Sequence, residues 1–579
     1  VMYQNDHPKI WTSVYADVTG LDVEEHKKYR FMTTVATPVY DRKNYSVRVA
    51  DLLGVVGTDL PIKDIESFAP AYQLGVNGYS FIVTNNGYIL YHPDLRPLFN
   101  GILKPNYNSV DLAEVELLDN DEGPRYNDSV LFQLRRDMVD KVAGEAKLNV
   151  KIHLDKMKRV TTRRQLYFYS PIGTTPFSLG IALPDNYGVY RVKAQTEIHL
   201  ARDKMNVSEF FSGDKWTIHP DWVYCRYRYE EKHLFQSQEE ELLHFLDKVQ
   251  KPGWKWHSIR VFKHTEANNR HGGRHQEEDA YYCDKDLFQS VVFDARATDV
   301  FSTPIVRFES DMREGESLFA LYGIVHGFVS THSGFTRWFD SPLAMQENST
   351  DDNRRWHNMF NRATDEIWYK RAVDFHEKSP DSFVFSVPFN AGDDNTTLVT
   401  GTRAIFIESK GNKAPAAVVG VQFKYAQFAE IFFNVTKKCP RKKETDCKTC
   451  SDEDINCYLL DDNGFVVVSE DFSDTGRFFG EIDGTIMDSL VQDQVYKKVR
   501  IYDYQGVCLD PVEQSGSASI LMTPFRYAYY GLMYMWDQVI WIVFHLSIVD
   551  IIQSIYVESL DKIIIESYDD GIDDDDDDD

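Results

Sequence analysis

Apolar positions along the chain follow two periods. Runs rich in Val, Ile, Thr, Tyr and Phe cover residues 33–40, 52–59 and 79–90, and the last is broken by Asn86-Gly87. The same grammar returns over residues 398–406, 416–421 and 458–468, now broken by Asn463-Gly464. Such runs around Asn-Gly predict hairpins with type I′ turns, which need φ > 0 at both central residues. Each copy therefore reads as a meander of antiparallel strands, and the pair reads as a duplication. Gly57 and Gly420 lie 363 positions apart and Asn86 and Asn463 lie 377 apart, so the second copy carries 14 extra residues, expected in the loop from Cys439 to Cys450. The helical period appears in residues 236–251, where Leu242, Phe245, Leu246 and Val249 fall at i, i+3, i+4 and i+7 before Pro252-Gly253. A third pattern, residues 528–549, is apolar and aromatic with only Asp537 and His545 interrupting it. It is long enough for a membrane span, but Asp537 near its centre costs about 2.5–3.5 kcal/mol there. A buried, aromatic-rich helix is the simpler expectation.

Composition adds limits to this picture. The 579 residues are 43% hydrophobic and 14% aromatic, enough for substantial cores. Net charge is −27, with Asp569, Asp570 and Asp573 to Asp579 crowding the terminus. A surface this acidic repels phosphate backbones, so nucleic acid is not an expected partner. No G-x-S-x-G, P-loop or H-E-x-x-H sequence occurs, and no enzyme is expected. His264, His271 and His275 stand near Glu277, Glu278 and Asp279, but Gly272-Gly273 argues for a solvated loop over a metal site.

Asn-x-Ser/Thr sequons at Asn44, Asn127, Asn206, Asn348, Asn395 and Asn434 point to a secretory route. The seven cysteines agree with it. Cys225 and Cys283 are expected to pair, and at least one bridge is expected among Cys439, Cys447, Cys450 and Cys457, with Cys508 left over. Zinc is the competing reading of that cluster, although no histidine accompanies it.

Several further motifs converge. Trp11-Thr12-Ser13-Val14-Tyr15-Ala16-Asp17, Leu53-Gly54-Val55-Val56-Gly57-Thr58-Asp59, Asn77-Gly78-Tyr79, Asn86-Gly87-Tyr88-Ile89-Leu90-Tyr91-His92-Pro93, Thr175-Pro176-Phe177-Ser178-Leu179-Gly180 and the stretch from Ser469 to Glu481 resemble the alpha-2/delta auxiliary subunits of voltage-gated calcium channels. The likeness runs from Trp11 to about Ile548 and is closer to the third type of that family than to the first. It implies an α+β fold: tandem Cache lobes, with antiparallel sheets flanked by helices, plus the aromatic-rich C-terminal helix. The expected organisation is a first Cache lobe over 1–185, a connecting region over 186–290, a second lobe with the Cys-rich insertion over 291–505, and a helical segment with acidic tail over 506–579. The implied function is an extracellular auxiliary subunit at the plasma-membrane surface that modulates a calcium channel by docking its pore-forming subunit. A stand-alone double-Cache amino-acid sensor is the alternative.

The resemblance also implies a ligand site. Double-Cache amino-acid receptors hold the ligand's ammonium with an acid at the end of a G-V-x-G-x-D strand, where Asp59 stands; Asp17, with Trp11 and Tyr15, matches a second acid of such a pocket. In the second copy Gln422 takes the place of Asp59, so that copy lacks the anionic half. The family's carboxylate-binding arginine lies upstream, which leaves half a pocket and weak binding. A plain capping role for Asp59, ahead of residues 62–68, is the competing reading. The von Willebrand factor A domain of the family, with its D-x-S-x-S calcium site, is expected upstream, so no cofactor is expected in this span. Membrane association is expected through a part of the protein beyond its C-terminus.

Overall fold

A computed structural model describes residues 9–17, 29–40, 52–99, 101–120, 128–155, 157–194, 207–228, 234–258, 280–300, 318–341, 361–393, 397–436, 450, 455–507 and 528–541. The chain divides into two compact units, residues 1–505 and 506–579.

The first unit begins with a small sheet. Its central strand is β3 (Arg30–Tyr40); β1 (Ile10–Trp11) and β2 (Tyr15–Asp17) pair with it, as does the long β4 (Leu52–Pro61). Short helices Ile62–Glu66 and Ala71–Leu74 follow. The chain then enters a six-stranded antiparallel sheet of β5 (Tyr79–Thr84), β6 (Ile89–Tyr91), β9 (Leu117–Leu118), β10 (Gly144–Leu154), β11 (Arg159–Pro171) and β12 (Phe177–Pro184), in the order β6-β5-β12-β11-β10-β9. A minor pair, β7 (Leu98–Phe99) and β8 (Ile102–Leu103), stands apart. Helix Ser129–Val139, capped by Asp128, lays Leu131, Leu134 and Met138 on Phe81, Leu148, Val150 and Tyr167 to form the core of this lobe.

The second lobe repeats that plan. Its sheet joins β13 (Trp216–Thr217), β16 (Ile324–Thr331), β17 (Thr336–Asp340), β18 (Val384–Ser386), β19 (Leu398–Ser409) and β20 (Asn412–Lys424) in the order β13-β17-β16-β20-β19-β18. Without the edge strands β9 and β13, both sheets share one order of five strands, second-first-fifth-fourth-third. The packing of the central strands repeats too. Phe81 on β5 faces Gly180 on β12, and Phe328 on β16 faces Gly420 on β20. In each lobe a Cβ on the glycine would collide with the ring. Helix Ile367–Lys378 covers this sheet with Trp368, Tyr369, Ala372 and Val373. The α+β class therefore holds, with two lobes of one strand order, each an antiparallel sheet flanked by helices.

The duplication needs redrawing. Neither copy of the sequence pattern is one meander: β3–β4 and β5–β6 belong to different sheets with helices between them. The second copy likewise passes from β19–β20 through helix Tyr425–Thr436 to a separate pair, β21 (Tyr458–Leu460) with β22 (Val466–Ser469). Part of the extra length is this helix, 12 residues against 5 for Ile62–Glu66.

The Asn-Gly turns are not type I′ either, because among their residues only Gly87 and Gly464 have positive φ, +86° and +80°. Thr84 N donates to Tyr88 O and Gly87 N to Thr84 O; Asp461 N donates to Phe465 O and Gly464 N to Asp461 O. This is a three-residue turn closed by a left-handed glycine. The same bonds recur where no Asn-Gly marks them: Thr331 N to Phe335 O, and Gly334 N to Thr331 O. The hairpin β16–β17 is thus a third copy, and it is the counterpart of β5–β6 inside the second six-stranded sheet.

Helix Gln238–Val249 forms as its period predicts. Ser237 caps it, and Leu242, Phe245, Leu246 and Val249 are buried. It packs with helix Lys285–Ala297 around the strands β14 (Cys225–Tyr227) and β15 (Tyr281–Cys283), which the Cys225–Cys283 disulfide ties together. Cys450 pairs with Cys457. Cys439, Cys447, Cys508, the His264–Asp279 stretch, the aspartate tail and five of the sequon asparagines lie outside the described residues; Asn434 is exposed on helix Tyr425–Thr436. In the second unit residues 528–541 form a helix. No helix among the described residues is long and apolar enough to cross a membrane.

Candidate functional site

Three of the four expected ligand residues share one sheet face, and two of them, Tyr15 and Asp59, are linked there through Thr34. β2 and β4 flank β3, and Tyr15 lies opposite Met32, Asp17 opposite Arg30 and Asp59 opposite Thr34. Because side chains alternate along a strand, Arg30, Met32 and Thr34 point to one side and carry their partners with them. Tyr15 Oη lies 2.9 Å from Thr34 Oγ1, and Thr34 Oγ1 donates to Asp59 Oδ1, so tyrosine, threonine and carboxylate form a chain.

Trp11 sits on the other side. It lies opposite Val35 and turns its ring onto Phe177, with centroids 5.1 Å apart, among Val14, Ile62, Ile82 and Leu90. It fastens the small sheet to the first lobe. Asp59 is exposed and does not cap the helix Ile62–Glu66, whose N-cap is Pro61 with no side-chain hydrogen bond. The counterpart residues keep the register: Gln422 lies opposite Thr400, and its Nε2 donates to Thr400 Oγ1 at 3.2 Å. Where the first copy places an acceptor, the second places a donor.

A cavity of about 990 Å³ opens elsewhere, between the two six-stranded lobes, and includes none of these four residues. One wall is the network of Asn77, Tyr187 and Arg163 on Asp374, which joins the first lobe to helix Ile367–Lys378. The cavity also touches two versions of one tripeptide, His92-Pro93-Asp94 and His219-Pro220-Asp221. In each, the histidine Nδ1 accepts the backbone N–H of the aspartate two residues on, at 3.0 and 3.2 Å. The other ring nitrogen, Nε2, faces Glu116 Oε1 at 3.2 Å in the first lobe and Asp365 Oδ2 at 2.9 Å in the second. Glu116 also accepts from Tyr79 and Tyr167, each at 2.7 Å, and burial pushes both phenols well above their ordinary value. Burial works to raise the Asp365 carboxyl, but its bond with His219 and the neighbouring Lys370 and Arg362 together outweigh this and hold it low. The repeated His-Pro-Asp is visible in the sequence and is the signal that locates these two pairs, the first fully buried and the second with Asp365 half exposed. Among the described residues no group of three or more His, Cys, Asp or Glu is placed to hold a metal ion.

Comparison with known proteins follows the same outline. Residues 274–543 match the family model described as neuronal voltage-dependent calcium channel alpha 2acd, and residues 78–184 match the CACHD1 middle domain. The voltage-dependent calcium channel subunit alpha-2/delta-3 of Rattus norvegicus is 34% identical over 527 residues, which cover 90% of this chain and 44% of that protein. The chain belongs to the alpha-2/delta family. The human alpha-2/delta-4 subunit is 30% identical, covering 90% of this chain and 42% of its own. The extracellular domain of a putative histidine kinase overlaps 31% of this alpha-2/delta chain and 49% of its own at 19% identity, with a TM-score of 0.20. The chain spans less than half the length of the alpha-2/delta relatives it matches.

Proposed function

We propose that this chain is the tandem Cache part of an extracellular auxiliary subunit that binds the pore-forming subunit of a voltage-dependent calcium channel and modulates its trafficking and gating. The observation that carries the reading is 34% sequence identity to a named channel subunit over 90% of the chain. The Cys225–Cys283 and Cys450–Cys457 disulfides suit an oxidising compartment, and exposed Asn434 offers a glycan acceptor there. The test is co-expression with a pore-forming calcium-channel subunit, followed by affinity capture of this chain. Retention of the pore subunit by the folded chain supports the reading; its loss while circular dichroism shows intact lobes overturns it.

A small amino acid is the proposed ligand of the β2–β3–β4 face. Asp59 supplies the negative charge an ammonium needs, Tyr15 and Thr34 orient it, and Asp17 adds negative charge farther along the same face. Gln422 denies the second copy that charge.

A further inference from the structure

Asn-Gly occurs at Asn77-Gly78, Asn86-Gly87, Asn100-Gly101 and Asn463-Gly464, and Asn100 lies outside the described residues. A glycine has no side chain to shield its backbone nitrogen, so that nitrogen can attack Cγ of the asparagine before it once the local backbone is free to move. The bond from glycine N to Cγ forms, the Cγ–Nδ2 bond breaks, and ammonia leaves. Water then opens the cyclic imide to aspartate, or to isoaspartate, whose backbone runs through Cγ.

The three described asparagines are held with unequal firmness. Asn77 Nδ2 donates to Tyr187 Oη at 2.9 Å and to Lys370 O and Asp374 Oδ1, each at 3.3 Å. Asn463 Nδ2 donates to Val160 O at 3.3 Å and its backbone N–H to Asp461 Oδ1 at 2.8 Å, a carboxylate that is itself buried on Arg159. Asn86 is exposed, and its side-chain amide has no hydrogen-bond partner among the described residues. Only long bonds touch its backbone, 3.4 Å from Asn86 N to Thr84 Oγ1 and 3.3 Å from Arg135 Nη2 to Asn86 O. The glycine N–H is bonded alike in both turns, Gly87 to Thr84 O at 3.0 Å and Gly464 to Asp461 O at 3.1 Å. Each turn must therefore open before the nitrogen can attack, and the cost of opening sets the rate. Opening at Asn463 breaks a buried network; opening at Asn86 breaks weak, exposed bonds.

We propose that Asn86 is a deamidation site, where the ageing chain turns an amide into a carboxylate and, in the isoaspartyl product, lengthens its backbone just before Gly87. Gly87 is a joint of the first lobe: its φ is +86°, its carbonyl accepts Leu112 N at 3.2 Å, and a Cβ on it would collide with the Arg135 guanidinium that grips Asp111. An extra backbone carbon at residue 86 displaces Gly87 from beneath that guanidinium and loosens the β5–β6 hairpin from helix Ser129–Val139. The chemistry needs water alone and no pore subunit, so it stands apart from the channel reading.

The test ages the full folded chain at mildly alkaline pH and follows the three peptides by mass spectrometry, with isoaspartyl methyltransferase labelling to count the isomer. The Asn86 peptide should convert about tenfold faster than the Asn77 and Asn463 peptides, the effect of the one or two further hydrogen bonds that hold those sites shut. In urea the three rates should converge, and isoaspartate should appear at all three. Asn86→Gln, whose longer side chain closes the ring poorly, should keep its urea midpoint on ageing while that of the parent falls; circular dichroism checks that the variant starts folded. Equal rates in the folded chain, a faster site at Asn77 or Asn463, or an order that persists in urea overturns the proposal.

Discussion

Arg159 Nη2 donates to Asp461 Oδ2 at 2.9 Å, and both side chains are only 4% exposed. The arginine opens β11 in the first lobe; the aspartate opens the turn of β21–β22, some three hundred residues later. Arg371 of the second lobe approaches the same carboxylate at 3.6 Å, and the Arg159 guanidinium lies over Phe389 and Phe465 at 4.6 and 4.5 Å. Asp461 also accepts the backbone N–H groups of Asn463 and Phe465, so one carboxylate shapes its own turn and holds it between two lobes.

Asp461→Ala should therefore lower stability by about 1.5–3 kcal/mol, the worth of a buried charge-assisted hydrogen bond, because Arg159 keeps Asp155 and Arg371 keeps Asp462. Asp462→Ala, whose carboxylate also meets Arg371 but is 44% exposed, should cost about 1 kcal/mol or less. Urea unfolding of the two variants measures the contrast, and equal losses would remove Asp461 from this role.

The glycines under Phe81 and Phe328 make a second contrast. Gly180→Ala and Gly420→Ala should each cost about 1–3 kcal/mol, because the added methyl meets a fixed ring. Gly54→Ala on β4, where a Cβ meets nothing within 4 Å, should be neutral or slightly stabilising. Thermal unfolding reads all three, and recovery in Gly180→Ala with Phe81→Leu would confirm the collision.

Acid should weaken the second lobe through Asp340. Burial works to raise its carboxyl, but hydrogen bonds from His326 at 2.8 Å and Lys215 at 3.0 Å outweigh burial and hold it below the usual carboxylate range. A folded-state value below the unfolded one gives stabilisation that is complete above about pH 4 and is lost as pH falls through the depressed value. Asp340→Asn should thus lower the urea midpoint at pH 7 and flatten the acid limb; an unchanged limb would assign the loss elsewhere.

Replacing Cys225 and Cys283 together by Ser opens a loop of 58 residues, for which loop-closure entropy predicts a loss of about 4 kcal/mol. Opening the Cys450–Cys457 loop, with a separation of 7, should cost about 2 kcal/mol. Denaturant titration of the two double variants should give that order.

Calorimetry with leucine-like amino acids tests the β2–β3–β4 face. Weak binding is expected, lost in Asp59→Ala and unchanged in Gln422→Ala. Equal heats from the parent and Asp59→Ala would leave Asp59 with its Thr34 bond alone.

Local order was written plainly in the sequence. The period of Leu242, Phe245, Leu246 and Val249 and the β-rich runs depend on neighbours a few positions away. The Cys225–Cys283 pairing followed from compartment and solitude. The strand β4 is likewise legible, since its run of apolar and β-branched residues suffices to name it.

Assignment of strands to sheets was another matter. Hydrophobic runs say that a strand pairs, not with which partner, so β3–β4 and β5–β6 looked like one meander although helices divert them into different sheets. The third hairpin copy carries no Asn-Gly to mark it, because a left-handed glycine alone closes the turn, and His332-Ser333 serves as well before it as Asn85-Asn86. Trp11 was grouped with Tyr15 and Asp17 by proximity in the chain, yet strand alternation and the Phe177 ring send it to the opposite face. The burial of Asp461 depends on Arg159 and Arg371, which are brought to it from two lobes. Sequence by itself determined which segments become strands and helices, because that follows from side-chain period and turn chemistry; only the tertiary structure decided which strands share a sheet and which charges share a buried site, because those contacts join residues hundreds of positions apart.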